Sequence, residues 1–155
     1  MYEFSVTINK AQIAEEVRNE THKFGKGRDN GQLTPQQVSN LQADDLAQDT
    51  SIVNTSLELS LERVVGELAK HLDGVGAGTG NDEVVLDFKM SHYYSPLSDS
   101  AVSTGIKAFV KTNTIYEYLK IVAPSDSALY LRQAEQYLTI VKSTLNYKKW
   151  HSKSR

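Results

Sequence analysis

A mainly α-helical fold with a small β element is what this 155-residue chain predicts, and three patterns predict it. Apolar residues recur every three or four positions in three stretches: 53–72, 101–122 and 131–145. That is the period of a helix with one buried face. Residues 2–8 and 83–90 instead alternate apolar and polar side chains, the period of a strand. Two strong breakers, the glycine run at 74–80 and Pro124, fall between these segments. The length suits one domain, read here as a helical domain over 1–147 with an N-terminal strand, followed by a basic tail over 148–155.

The first element is a strand over 2–8. Tyr2, Phe4, Val6 and Ile8 share one face, and Glu3, Ser5 and Thr7 share the other. Asn9 then offers its side chain as an N-cap. Ile13, Val17, Thr21 and Phe24 follow at helical spacing, so a helix is expected over 10–23 with Gly25 as its stop. Residues 25–33 read as a polar loop. At Thr34 a helix restarts, with Pro35 in its first position, Gln37 closing a capping box, and Val38 and Leu41 facing inward.

Asp49 or Thr50 is expected to cap the longest helix. Its stripe is Val53, Leu57, Leu61, Val64, Leu68 and Leu72, widened by Ile52 and Val65. Asp44, Asp45 and Asp49 place favourable negative charge at its start. The glycine run Gly74-Val-Gly-Ala-Gly-Thr-Gly80 reads as an irregular loop, because alternate glycines hold neither helix nor strand cheaply. By that reading, shortening the loop to two residues costs about 1 kcal/mol at most. The strand over 83–90 puts Val84, Leu86, Phe88 and Met90 inside. A lone strand is not stable, so it pairs with 2–8, with 92–95, or with a neighbouring molecule.

Ser98 or Asp99 caps the next helix. Its inner face is read as Ala101 or Val102, then Gly105, Ala108, Phe109, Thr112, Ile115 or Tyr116, Leu119 and Val122, ending at Pro124. Ser125-Asp126-Ser127 caps the last helix, whose core is Leu131, Ala134, Leu138, Val141 and Leu145. Gly66 lies off its stripe and is expected on an exposed face. Gly105, with the small residues Ala101 and Ala108 nearby, predicts a close helix crossing.

Charge is unevenly spread. Residues 1–100 carry eight basic and 16 acidic side chains, and residues 101–155 carry nine and three. The formal net charge of −2 therefore conceals a dipolar chain, a property that bears on association rather than on fold. There is no cysteine, so disulfides, thiolate metal sites and cysteine nucleophiles are excluded. No segment approaches a membrane span and the first residues lack a secretory pattern, so a soluble intracellular protein with no membrane contact is expected.

Chemistry-bearing motifs are absent. The glycine run has a helix before it and a strand after it, the reverse of a dinucleotide fingerprint, and no Gly-Lys-Ser/Thr follows. His22, His71, His92 and His151 are scattered without a second ligand at metal spacing. The aspartates near 44–49 lack the ligand order of a calcium loop, and no serine sits in a nucleophile elbow. The expectation is no enzyme, no cofactor, and no catalytic, cofactor-binding or metal residue. The tail retains binding potential: Lys148, Lys149, Lys153 and Arg155 surround Trp150. Such a segment suits phosphate contact and base stacking, an acidic protein surface with Trp150 as anchor, or plain solvation.

Residues 50–147 resemble the small helical head–tail connector (adaptor) proteins of tailed bacteriophages. The resemblance is carried by the long helix from Val53 to Leu72, the loop-and-strand excursion after it, and the helices Gly105–Leu119 and Tyr130–Val141 on either side of the break at Pro124. It implies a helical connector-like bundle and a virion structural protein without enzymatic activity. Its implied partners are identical copies in a ring, often twelve, the portal protein, and tail or further neck proteins. DNA would pass through the channel without sequence-specific binding. It also implies a place in the virion neck, after assembly in the host cytoplasm. The portal contact would fall on Lys148, Lys149, Trp150, Lys153 and Arg155, and strand 2–8 would complete its pairing on the portal or an adjoining subunit. A nucleic-acid-binding helical module using the basic tail is the alternative function.

Overall fold

A computed structural model describes residues 1–28 and 47–147, with side chains over 1–21 and 50–147. The expected helix at 34–37, Asp44 and Asp45 lie outside the described residues. The fold is mainly helical with a three-stranded antiparallel sheet. Strand β1 spans Tyr2–Asn9, β2 Leu72–Ala77 and β3 Glu83–Met90. Helix α1 spans Lys10–Arg28, α2 Ala47–Leu68, α3 Asp99–Val122 and α4 Pro124–Asn146.

The sheet order is β1-β3-β2, so β3 is central and β2 lies at an edge. Residues directly opposite share a face, and the register sets Phe4 against Phe88, Val6 against Leu86 and Ile8 against Val84. Val6, Ile8, Leu86, Phe88 and Met90 are buried against the helices. The strand expected over 2–8 therefore has its partner within the chain: β3 pairs with all eight residues of β1, Tyr2–Asn9. The alternating pattern gave the correct face, and the expectation that this strand lacks a partner within the chain is corrected; β1, like β2, is an edge of the sheet.

The larger correction concerns the glycine run. The long helix ends at Leu68 rather than Leu72, a 3₁₀ turn follows at Ala69–His71, and Leu72–Ala77 is strand β2. Leu72, Val75 and Ala77 pair with Phe88, Leu86 and Val84 of β3. An irregularity in the pairing lies between Leu72 and Gly74. Glycine's low strand propensity is a local cost, and the β3 template with its cross-strand pairs overrides it. The hairpin closes with Gly78 N–H donating to Glu83 O at 3.0 Å.

Helix α1 begins as predicted: Asn9 Oδ1 accepts from Gln12 N–H at 3.0 Å. It runs past Gly25 to Arg28, so that glycine is not its stop. Helix α2 starts at Ala47, which puts Asp49 and Thr50 inside the helix rather than at its cap. Ser98 occupies the N-cap position of α3 without a side-chain capping bond. Pro124 opens α4 rather than merely ending α3, and Ser127 Oγ donates to Pro124 O at 2.7 Å instead of capping.

Helix α3 is the hub, packed against α1, α2 and α4. Val102, Ile106, Phe109, Val110, Ile115, Tyr118 and Leu119 are all buried on it, as expected of a helix covered on most sides. Ala101 is exposed and Ala108 half-buried, so the inner face is rotated from the one the small residues suggested. On α4 the buried set is Ser127, Ala134, Leu138, Val141 and Leu145, with Leu131 half-buried. The crossing at Gly105 is real: a Cβ there would stand 2.6 Å from Val141 Cγ2 of α4. Gly66 faces open space.

Candidate interaction surfaces

Three arrangements of polar and apolar side chains have a geometry worth building up. The first is internal. Tyr94 Oη donates to Asp99 Oδ1 at 2.9 Å, and Tyr2 Oη donates to Asp99 Oδ2. Their rings stack with Phe4 and Phe88: Phe4 lies 4.8 Å from Phe88 and 5.5 Å from Tyr94 between centroids. Burial, then the bond to Asp99, pushes the Tyr94 hydroxyl well above its ordinary pKa. The bond to Asp99 raises that of Tyr2 first, then burial. Both hydroxyls stay protonated donors, and Asp99 sits in the first turn of α3, where the helix dipole favours a carboxylate. This cluster ties strand β1 to the start of α3. It offers no free base and no nucleophile.

A second internal cluster joins α2, α3 and α4. Asn113 Nδ2 donates to Ser60 Oγ at 2.9 Å, and Arg63 Nη1 donates to Asn113 Oδ1 at 2.9 Å. Ser60 Oγ donates to Ser56 O at 2.9 Å, and Thr114 Oγ1 lies 3.1 Å from Ser60 Oγ. Arg63 also pairs with Glu135 of α4. Among the described residues no buried side-chain polar atom lacks a partner, so the network is complete and fixes the register of three helices.

The third arrangement is on the surface. An α-helix advances 100° per residue, so positions 129, 136 and 140 lie on one line down α4, opposite the buried Ala134, Leu138 and Val141. Leu129 is 55% exposed and Ile140 58%. A shallow groove of about 450 Å³ runs here, lined by Arg132, Glu135, Gln136, Thr139 and Ile140. Helix α4 thus carries apolar residues on both its inner and its outer face. A second surface lies at the sheet edge. Val75 pairs with the buried Leu86 yet is 49% exposed, and Ala77 beside it is exposed. These side chains point to the inner side of the sheet but reach beyond the helical layer.

A cleft of about 380 Å³ lies between Lys10, Ala11, Ala14 and Arg18 of α1, Asn54, Leu57 and Glu58 of α2, and Asp82. Lys10 Nζ pairs with Glu58 across it at 3.2 Å. It holds no histidine, serine or tyrosine. Among the described residues no cluster of three histidines or carboxylates has metal-site geometry, and no helix is long and apolar enough to cross a membrane.

The portal-contact residues expected from the sequence, Lys148, Lys149, Trp150, Lys153 and Arg155, lie outside the described residues. Residue 147 is the last one described, and α4 ends beside the start of β2: His71 Nε2 and Asn146 Oδ1 are 3.2 Å apart. The outer stripe of α4 and the ledge at Val75 were both missed in the sequence. A signal existed for the first: Leu129 and Ile140 are eleven residues apart, three helical turns. No family model, no curated protein and no solved structure matches this chain.

Proposed function

We propose that this chain is a structural subunit of a tailed-bacteriophage virion: a head–tail connector (adaptor) that assembles as a ring under the portal and continues the DNA channel to the tail. Twelve copies, docking through Lys148, Lys149, Trp150, Lys153 and Arg155 in the neck, complete the reading, and the subunit acts by assembly rather than catalysis. The observation that carries it is the second apolar stripe on α4. A helix that buries Ala134, Leu138 and Val141 inward while holding Leu129 and Ile140 outward is built to be covered on both sides. The order of long helix, strand excursion and paired helices is also the order on which the resemblance rests.

Ring closure requires two different surfaces meeting head to tail, and the uneven distribution of charge along the chain suits that. Light scattering and electron microscopy of the purified protein, alone and with a candidate portal, test the reading. Closed rings are expected, and Ile140→Asp is expected to reduce them to folded monomers. A wild-type chain that stays monomeric at its highest soluble concentration, with and without portal, overturns the reading. So does binding of duplex DNA that weakens steeply with salt in the absence of any assembly.

A further inference from the structure

We propose that the open edge of β2 is the docking site for the chain's own C-terminal segment, residues 148–155. The first ground is the edge itself. Among the described residues, strand β2 pairs with β3 on one side only, so its outward backbone N–H and C=O groups form a template for another strand. Natural edges are blunted by lysine, proline or a covering element. The sequence Leu-Asp-Gly-Val-Gly-Ala of β2 has neither lysine nor proline.

The second ground is where the chain goes next. Asn146 at the end of α4 is hydrogen-bonded to His71, and Leu72 begins β2 one residue later. The C-terminal segment therefore departs from the very end of the strand it would cover. Six strand residues span about 20 Å and eight extended residues reach about 26 Å, so the segment is long enough to run parallel to all of β2.

The third ground is the match of chemistry on the two faces. The inner side of the edge is apolar, with the exposed Val75 and Ala77. The outer face is acidic at Asp87, which stands opposite Gly74, and the exposed Asp73 precedes that glycine in β2. In an extended segment successive side chains alternate between faces. Lys149, Lys153 and Arg155 then fall on the side opposite Trp150. Trp150 on the inner side would cover Val75, and the three cations would meet the carboxylates. The 3₁₀ turn before α3, Pro96–Ser98, also exposes an apolar residue, Leu97, but the carboxylate two residues on, Asp99, is already held by two tyrosines. This contact belongs to the unassembled subunit: the proposed portal docking uses the same residues, so the segment would leave the β2 edge when a portal is bound, and a monomer without portal tests the contact by itself.

Trp150 is the only tryptophan, so its fluorescence in the full-length chain reports on the segment directly. Blue-shifted emission with weak acrylamide quenching is expected, unchanged over a hundredfold range of protein concentration. Val75→Lys is expected to shift the emission to that of water-exposed indole, with circular dichroism confirming an intact fold. Asp73→Lys with Asp87→Lys, both on exposed positions, provides a second route to the same loss should Val75→Lys disturb folding. Adding Lys149→Glu and Lys153→Glu to that pair is expected to restore the blue shift. Water-like emission in the wild type overturns the proposal, as does a blue shift indifferent to the β2 variants. A shift that appears only at high concentration assigns the edge to another copy and overturns the intramolecular assignment.

Discussion

Gly105 allows the packing of α3 on α4 to be weighed by sign as well as size. In a helix interior, glycine to alanine is favourable by about 1 kcal/mol where the new methyl meets nothing. At Gly66 nothing lies within 4 Å of the added Cβ, so Gly66→Ala should be more stable by about that amount, raising Tm by about 2–4 °C. At Gly105 the same methyl would stand 2.6 Å from Val141 Cγ2. Val141 is buried, and valine in a helix holds one strongly preferred rotamer, so relief requires moving the helices apart. Overpacking of this kind costs about 1–3 kcal/mol, which offsets or exceeds the propensity gain. Gly105→Ala should therefore be neutral to destabilising by about 2 kcal/mol, and Gly105→Leu worse. Val141→Ala alone removes two methylene equivalents, about 1.6 kcal/mol before any cavity cost. In the double variant the new methyl occupies the space vacated by Val141, so the two changes should couple favourably by about 1–3 kcal/mol. Urea unfolding followed by circular dichroism, with unchanged m-values, measures the wild type and all five variants. If Gly105→Ala stabilises as much as Gly66→Ala does, the close crossing is refuted.

Asn113→Ala leaves Ser60 and Arg63 without their buried partner and should cost about 2–3 kcal/mol, read by the same urea series; a loss under about 0.5 kcal/mol would show that water replaces the amide. Burial holds His71 below its ordinary pKa of 6.5, opposed by its bond to Asn146 and reinforced by Lys70. The unfolded chain then takes up its proton first, so stability should fall as pH drops below about 6.5, and His71→Gln should flatten that part of a pH series of melting temperatures. Excising residues 74–79 removes most of β2 and bares the edge of β3, so several kcal/mol should be lost, against the near-neutral outcome expected had the run been a loop; a near-neutral melting temperature would restore the loop reading.

The elements that came straight from periodicity are those whose neighbours agree with their local preference. The face of β1, the Asn9 cap, the stripe of α2 as far as Leu68 and the core positions of α4 from Ala134 to Leu145 are of this kind. Errors arose where a local rule was outvoted by a contact. The glycines of β2 do not prevent a strand, because β3 supplies the pairing. Pairing register is a property of two segments, and a pattern read along one segment does not contain it. The inner face of α3 was blurred for a related reason: a helix packed by α1, α2 and α4 has apolar residues nearly all round, so no single stripe stands out.

The surfaces were harder to read than the core because periodicity measures contrast between faces. Leu129 and Ile140 reduce the amphipathic contrast of α4, and in a sequence that reduction looks like noise on the buried stripe. Once the inward residues are fixed by their burial, the same two side chains become informative, since they stay more than half exposed among the described residues. Val75 follows the same logic at a sheet edge: its partner Leu86 is fully buried, so its own 49% exposure marks the point where β2 outruns the helices that cover β3. In both places the structure converts an unremarkable apolar residue into a specific question about what covers it. The uneven charge of the chain narrows the answer, because the acidic groups around β2 select for a cationic partner and against a second acidic edge.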